Sequence, residues 1–152
     1  MKVYSLLHKT EVETNIFDVK RIGIYSSFDV AKATIEIYKN IKGFKDYPDN
    51  FYIEELNVLD KTQEVVIPGQ MLYLLEHEYT IEEANKYYDY VTVIGIFLSL
   101  VNANAAMEKL KKNPDYINKK SGIYEDNSGF CISNYIVDEN NWQEGFVTFD
   151  SV

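Results

Sequence analysis

Ile22-Gly23-Ile24-Tyr25 returns later in the chain as Ile94-Gly95-Ile96-Phe97. Ser27, Ala31, Ala33 and Glu36 follow the first copy, and Ser99, Ala103, Ala105 and Glu108 follow the second at the same offset of 72 (94 minus 22). Upstream, Val3-Tyr4, Leu6 and His8 recur as Leu72-Tyr73, Leu75 and His77 at offset 69 (72 minus 3). Downstream, Asn50-Phe51-Tyr52-Ile53 recurs as Gly129-Phe130-Cys131-Ile132 at offset 79 (129 minus 50). One order of elements is written twice, and a repeat of this length decides the architecture before any single element is considered.

Each copy is too short to hold a large core by itself, so the two are expected to form one compact unit sharing or packing a sheet. The expected division is 1–69 for the first repeat with its hinge and 70–152 for the second with a C-terminal strand. Of the 152 residues, 46% are hydrophobic and 14% aromatic, with only 3 Pro and 7 Gly, which supports a packed core and argues against disorder.

No apolar run reaches the roughly 18 residues that span a bilayer. The start, Met1 to Lys9, lacks the apolar core of a secretory signal, so the cytoplasm is the expected compartment. The single cysteine, Cys131, has no disulfide partner within the chain and reads as a small strand residue.

The net charge is -9. Residues 1–69 hold 11 acidic and 9 basic side chains, net -2, while residues 70–152 hold 13 and 6, net -7. An acidic second half disfavours nonspecific nucleic-acid binding, which needs cations on phosphates, and suits a basic protein partner.

In chain order, Lys2–His8 reads as a strand and Thr10–Asn15 as a polar connection. Val19–Ser26 follows as a strand with Ile22 and Ile24 on one face by period-two alternation. Gly23 marks a bulge or a close backbone approach. The Ser26-Ser27 pair supplies a helix cap, and Val30, Ala33, Ile37 and Ile41 draw a helical stripe over 28–41 that stops at Gly43. Phe51–Leu59 is the third strand, broken in its alternation at Glu54-Glu55. Asp60–Gln70 is the hinge, with a short strand at Val65-Val66-Ile67 and a turn at Pro68-Gly69. The second copy predicts strands at 71–79, 90–97 and 130–137, a helix over 100–112 closed by Pro114, and a last strand at 146–149.

The offsets place three extra residues before the second strand of repeat two and seven more before its third. Glu76–Tyr90 and Asn118–Asn127 are therefore the expected long loops, and duplicated scaffolds carry function on such loops.

The order Val3-Tyr4…His8, Ile22-Gly23-Ile24-Tyr25-Ser26-Ser27, Ala31, Gly43-Phe44-Lys45-Asp46-Tyr47-Pro48-Asp49-Asn50-Phe51, Ile53 and Asp138…Trp142-Gln143-Glu144-Gly145-Phe146 resembles a family of small bacterial domains of unknown function. That resemblance implies a ββαβ pattern, usually in one copy, ending in a Trp-x-Glu-Gly-Phe tail. Here the start is best kept in repeat one and the tail only in repeat two, with Asp60-Lys61-Thr62-Gln63 where the first tail would fall. The family transfers no catalytic residues. Small acidic domains of this type look like the immunity proteins of bacterial toxin systems, an analogy of type.

His8 and His77 end equivalent strands, and a shared metal would need both near each other plus a third ligand. Glu76 and Glu78 flank one and Leu7 and Lys9 the other, so no ligand set repeats and no metal is expected. Motifs for a serine nucleophile, a phosphate loop or a zinc protease are missing, and no cofactor is implied. Glu54-Glu55, adjacent on a strand, face opposite ways and make a poor acid–base pair. Glu82-Glu83 and Glu125-Asp126 read as solvated, and Trp142 with Phe146 as a plug over the sheet edge.

These residues indicate an α+β protein of two tandem ββαβ repeats, antiparallel-rich with helices on one face. The expected function is non-enzymatic: a cytoplasmic protein-binding module of the toxin-neutralising immunity type, docking its partner through Glu78, Tyr79, Glu82, Glu83, Tyr87, Tyr88 and Asp89. Tyrosines supply contact area at low entropic cost and carboxylates steer a basic partner. The alternative is a small-molecule-binding regulatory domain with a pocket between the repeats.

Overall fold

The computed structural model describes residues 1–14, 16–60, 65–117, 119 and 128–147. It is an α+β protein with two three-stranded antiparallel sheets of strand order β2-β1-β3 and β5-β4-β6. The strands are β1 (Lys2–Glu13), β2 (Ile16–Tyr25), β3 (Phe51–Asn57), β4 (Met71–Glu83), β5 (Lys86–Phe97) and β6 (Phe130–Ile136). The helices are α1 (Phe28–Tyr38), α2 (Leu100–Leu110) and the short α3 (Pro114–Ile117).

The chain forms two compact units and passes between them more than once. One gathers the described residues of Lys2–Leu56, Val65–Gln70 and Ile136–Val152; the other gathers those of Met1, Asn57–Glu64 and Met71–Tyr135.

In the unit built on β1, the first two strands pair from Tyr4↔Tyr25 to Glu13↔Ile16. The residues expected as a polar connection after Lys9 instead continue β1 through Glu13, because cross-strand pairing outweighs their polarity when only one face is covered. Leu6 faces Gly23 and Leu7 faces Arg21, which leaves Ile22 as an extra residue in β2. This bulge overturns the expected alternation. Ile22 joins Leu6 and Tyr25 in the helix-side core, while Ile24 pairs with Ser5 on the opposite face, and all four of these apolar residues are fully buried.

Ser27 caps α1, its side chain accepting from the Val30 N–H at 3.2 Å. The buried stripe of α1 is Ala31, Thr34 and Tyr38, not the expected Val30, Ala33 and Ile37; Ile37 is 58% exposed. Both sets have helical spacing, so the period could not choose the phase. Packing chooses it: Ala31 joins the sheet core, the Thr34 hydroxyl is satisfied by the Val30 carbonyl at 2.8 Å, and the Tyr38 hydroxyl donates to the Asn141 carbonyl. The helix stops at Tyr38, and Gly43, at φ 87°, starts a 3-10 turn over Phe44–Asp46 rather than ending α1. Phe44 is the centre of the core, edge-on to Tyr38 at 5.2 Å and Phe146 at 4.8 Å.

The C-terminal segment crosses β2. Asp138 N–H donates to the Ile24 carbonyl at 3.0 Å and Asn141 N–H to the Ile22 carbonyl at 2.8 Å. The crossing passes close over Gly23, where a Cβ would lie 2.6 Å from the Glu139 carbonyl oxygen. Phe146 packs on the core, but Trp142 is 46% exposed, so the expected plug is Phe146 without its tryptophan. Phe146 and Val147 lie in no strand, and the rest of the expected last strand falls outside the described residues.

The unit built on β4 repeats the bulge: Leu75 faces Gly95 and Glu76 faces Val93, leaving Ile94 extra. Its core holds Leu75, Phe97, Ala103, Met107 and Phe130. Val58 forms a parallel bridge to Ile96, with Leu59 N–H donating to the Ile96 carbonyl at 2.8 Å. Ser99 caps α2, and Pro114 opens α3 after the α2 helix has ended, a position where its missing N–H costs nothing. Val65-Val66-Ile67 is not a strand; it leads into the turn closed by Gln70 N–H to the Ile67 carbonyl at 3.1 Å, with Gly69 at φ 85°. No helix among the described residues is long and apolar enough to cross a membrane.

Candidate functional site

The expected loop Glu76–Tyr90 is not a loop. β4 and β5 run as an antiparallel hairpin up to the pair Glu83↔Lys86, turning on Ala84 and Asn85 with φ 53° and 63°. Two consecutive left-handed residues give the turn whose twist matches the strands, and Asn tolerates that conformation. The three extra residues lengthen the ribbon instead of loosening it. Among the described residues, the third strand of this sheet, β6, begins at Phe130, with Glu78 N–H donating to the Gly129 carbonyl at 2.8 Å just before it.

The register sorts the seven expected contact residues onto two faces. Tyr79, Ile81 and Glu83 share a face with Lys86, Tyr88 and Tyr90; Glu78, Thr80 and Glu82 share the other with Tyr87, Asp89 and Val91. On the first face Tyr79 stacks on Tyr90 at 5.2 Å, and the Lys119 ammonium sits 5.0 Å from the Tyr79 ring. On the second face the Thr80 hydroxyl donates to Asp89 at 2.8 Å. Tyr87 is 70% exposed and Val91 58%.

Glu78 is only 2% exposed and lies 3.0 Å from the Thr80 hydroxyl, so it cannot present its charge to a partner. Glu82, Glu83 and Asp89 are exposed, and Tyr88 is half-buried. Ile81, Tyr90 and Val91, which the loop reading passed over, belong to the same exposed ribbon. The alternation through Tyr88, Asp89, Tyr90 and Val91, with Asn85 at a turn position, was the available signal.

His8 and His77 each bond a backbone carbonyl through Nε2, His8 to Tyr47 at 3.0 Å and His77 to Ser128 at 3.1 Å. A carbonyl can only accept, so each Nε2 carries the proton. Burial holds both imidazoles below their ordinary pKa. The carbonyl bond opposes this, while Lys20 near His8 and Lys119 near His77 lower them further, and Asp18 and Glu78 act the other way. Aromatic rings enclose both: Phe44 and Phe51 lie 4.8 and 4.6 Å from His8, Tyr116 and Phe130 4.8 and 4.6 Å from His77. Both histidines are packing groups within their strands, not at the expected strand ends, because cross-strand pairing carries β1 on to Glu13 and β4 on to Glu83. Among the described residues no three His, Cys, Asp or Glu side chains converge as a metal site.

Cys131 is half-buried in β6, with its sulfur 3.8 Å from the Ser133 hydroxyl. A shallow cleft of about 320 Å³ is lined by Tyr4, Phe28, Ile53 and Glu55, whose carboxylate pairs with Lys2 at 3.1 Å. The loop expected at Asn118–Asn127 lies outside the described residues except for Lys119.

Residues 1–66, which carry β1 through β3, match the model of a family described as a domain of unknown function, DUF7336. No curated protein and no solved structure matches the chain.

Proposed function

We propose that the protein is a non-enzymatic protein-binding module that engages a basic partner through the β4–β5 hairpin. The observation that carries this reading is the ribbon end, where Tyr87, Val91, Tyr90 and Ile81 are exposed beside the carboxylates of Glu82, Glu83 and Asp89. A lone exposed tyrosine is ordinary surface; four large side chains along one ribbon, rimmed mainly by carboxylates with Lys86 at the turn, are the composition of a docking surface. The net charge of -7 over residues 70–152 supports a basic partner. Neutralisation of a basic toxin in the cytoplasm, as immunity proteins do, is the specific form of this activity we favour.

Within the same reading, the two halves are duplicated copies of one ββαβ unit. Matching bulges at Ile22 and Ile94, matching caps at Ser27 and Ser99 and matching histidine–carbonyl bonds support the duplication. The hairpin of the second copy then diverged to bind.

The test is copurification from the native host with identification of bound protein. The partner should be lost on Glu82→Lys/Glu83→Lys exchange. A partner retained by that variant and by Tyr87→Ala would place the activity elsewhere.

A further inference from the structure

β5 is the outermost strand of its sheet, and the edge it presents is already used once. At its C-terminal end, Val58 and Leu59 lie along it in parallel, with Leu59 N–H bonded to the Ile96 carbonyl at 2.8 Å. Among the described residues, no segment continues that pairing toward the turn.

The orientation of the free backbone groups follows from the turn. In a two-residue hairpin the residues flanking the turn, here Glu83 and Lys86, exchange both hydrogen bonds, and paired and unpaired positions then alternate along the ribbon. Lys86, Tyr88 and Tyr90 therefore face β4, while Tyr87, Asp89 and Val91 turn their N–H and C=O groups outward. The side chains of those three share one face, and Tyr88 and Tyr90 stand on the other. A strand laid against this edge would find backbone partners at every second residue, with Tyr87 and Val91 on one side and the Tyr79–Tyr90 stack on the other.

Charge selects between this edge and its counterpart. Beside the outward positions of β5 stand Glu82, Glu83 and Asp89, with Lys86 the cation at the turn. The matching ribbon of β1 and β2 sets Lys9, Lys20 and Arg21 against Glu11, Glu13 and Asp18, without the acidic excess of the β4–β5 end. Long exposed edges in monomeric proteins are usually blunted by bulges, prolines or inward charges; the only bulge in β5 is at Ile94, beyond this stretch.

We infer that the outer edge of β5, from Tyr87 to Val91, takes up an extended basic segment of a partner protein as an added strand. This rests on the binding role proposed for the hairpin and specifies its mode, main-chain pairing with alternate side chains set between tyrosines.

The probe is a capped octapeptide alternating Lys and Val, compared with a Glu–Val peptide and with a Lys–Val peptide N-methylated at alternate nitrogens, each added to the full chain. Amide hydrogen exchange should slow by about tenfold or more at Tyr87, Asp89 and Val91, while Tyr88 and Tyr90, already paired, change little. The Glu–Val and N-methylated peptides should not protect them. Val91→Pro removes only an outward donor, leaves the β4 ladder whole and should weaken binding about tenfold.

Binding that shifts the tyrosine side chains without protecting those amides would overturn edge pairing and leave the hairpin role standing. So would a copurified partner lost on Tyr87→Ala but retained by Val91→Pro. Protection at Phe17 and Val19 of β2 instead, self-association through β5, or no binding at millimolar peptide would also overturn it. Protected amides in a chain whose native partner ignores the hairpin would support the edge while refuting the binding role.

Discussion

The carboxylate of Asp138 accepts the backbone N–H of Ser26 at 2.8 Å and the Ser26 hydroxyl at 2.8 Å, joining residues 112 apart in the chain. In the other unit, Asp60 does the corresponding work, accepting Leu98 N–H at 2.6 Å and Ser99 N–H at 3.0 Å. Each carboxylate satisfies donors just before a helix, where the helix dipole favours negative charge, and each ties a connecting segment to a sheet. Replacing Asp138 by Ala should lower stability by about 1–3 kcal/mol, because charge-assisted bonds are lost and the Ser26 N–H is left unpaired. Urea denaturation checks this, with the exposed Glu139→Ala as a control that should stay within about 0.5 kcal/mol of the native chain.

Stability should depend on pH through the two histidines. Their pKa values are depressed in the fold, so the unfolded chain binds more protons as pH drops below the ordinary value of 6.5. Their contribution is therefore full above that value and is lost as pH falls through the folded-state pKa. The urea midpoint should decline from pH 7.5 toward pH 5, and His8→Gln and His77→Gln should each flatten that slope. An unchanged slope in both variants would refute the assignment.

The phase of α1 is open to direct test. Ile37, which periodicity placed inward, is exposed, so Ile37→Gln should cost less than about 0.5 kcal/mol. Ala31 is fully buried, so Ala31→Leu should overpack the site and cost about 1–3 kcal/mol. The reverse order, read from thermal or urea unfolding, would restore the stripe through Val30, Ala33 and Ile37.

For the partner isolated by copurification, Tyr87→Ala should raise the off-rate and cost about 1–3 kcal/mol of binding, as an exposed aromatic anchor does. The Glu82→Lys/Glu83→Lys exchange should act on the on-rate and flatten its salt dependence, since exposed charges are screened beyond about 8 Å at physiological ionic strength. Glu78→Gln should leave the salt dependence unchanged, because that carboxylate is buried. Surface plasmon resonance at two salt concentrations separates these effects.

The recurring Ile-Gly-Ile motif, the Ser caps and the apolar strand starts were enough to read off an α+β chain of paired strands and capped helices. These are local signals: a capping hydroxyl, a glycine beneath a crossing backbone and a run of β-branched residues act through near neighbours and leave their mark in order. Ile24 and Ile96 are both buried in strands, as that order implies.

What the sequence could not settle was phase and partner. A bulge at Ile22 turned Ile22 and Ile24 to opposite faces, and helix α1 rotated to bury Ala31, Thr34 and Tyr38, because groups far along the chain, Asn141 among them, supplied the contacts. The polar hairpin ends read as loops for the same reason: cross-strand pairing compensates residues that look unstructured singly. Only the tertiary structure withdrew Glu78 from the surface and split the remaining contact residues between two faces. Burial and register are properties of the packed sheet, and no stretch of the chain carries them by itself.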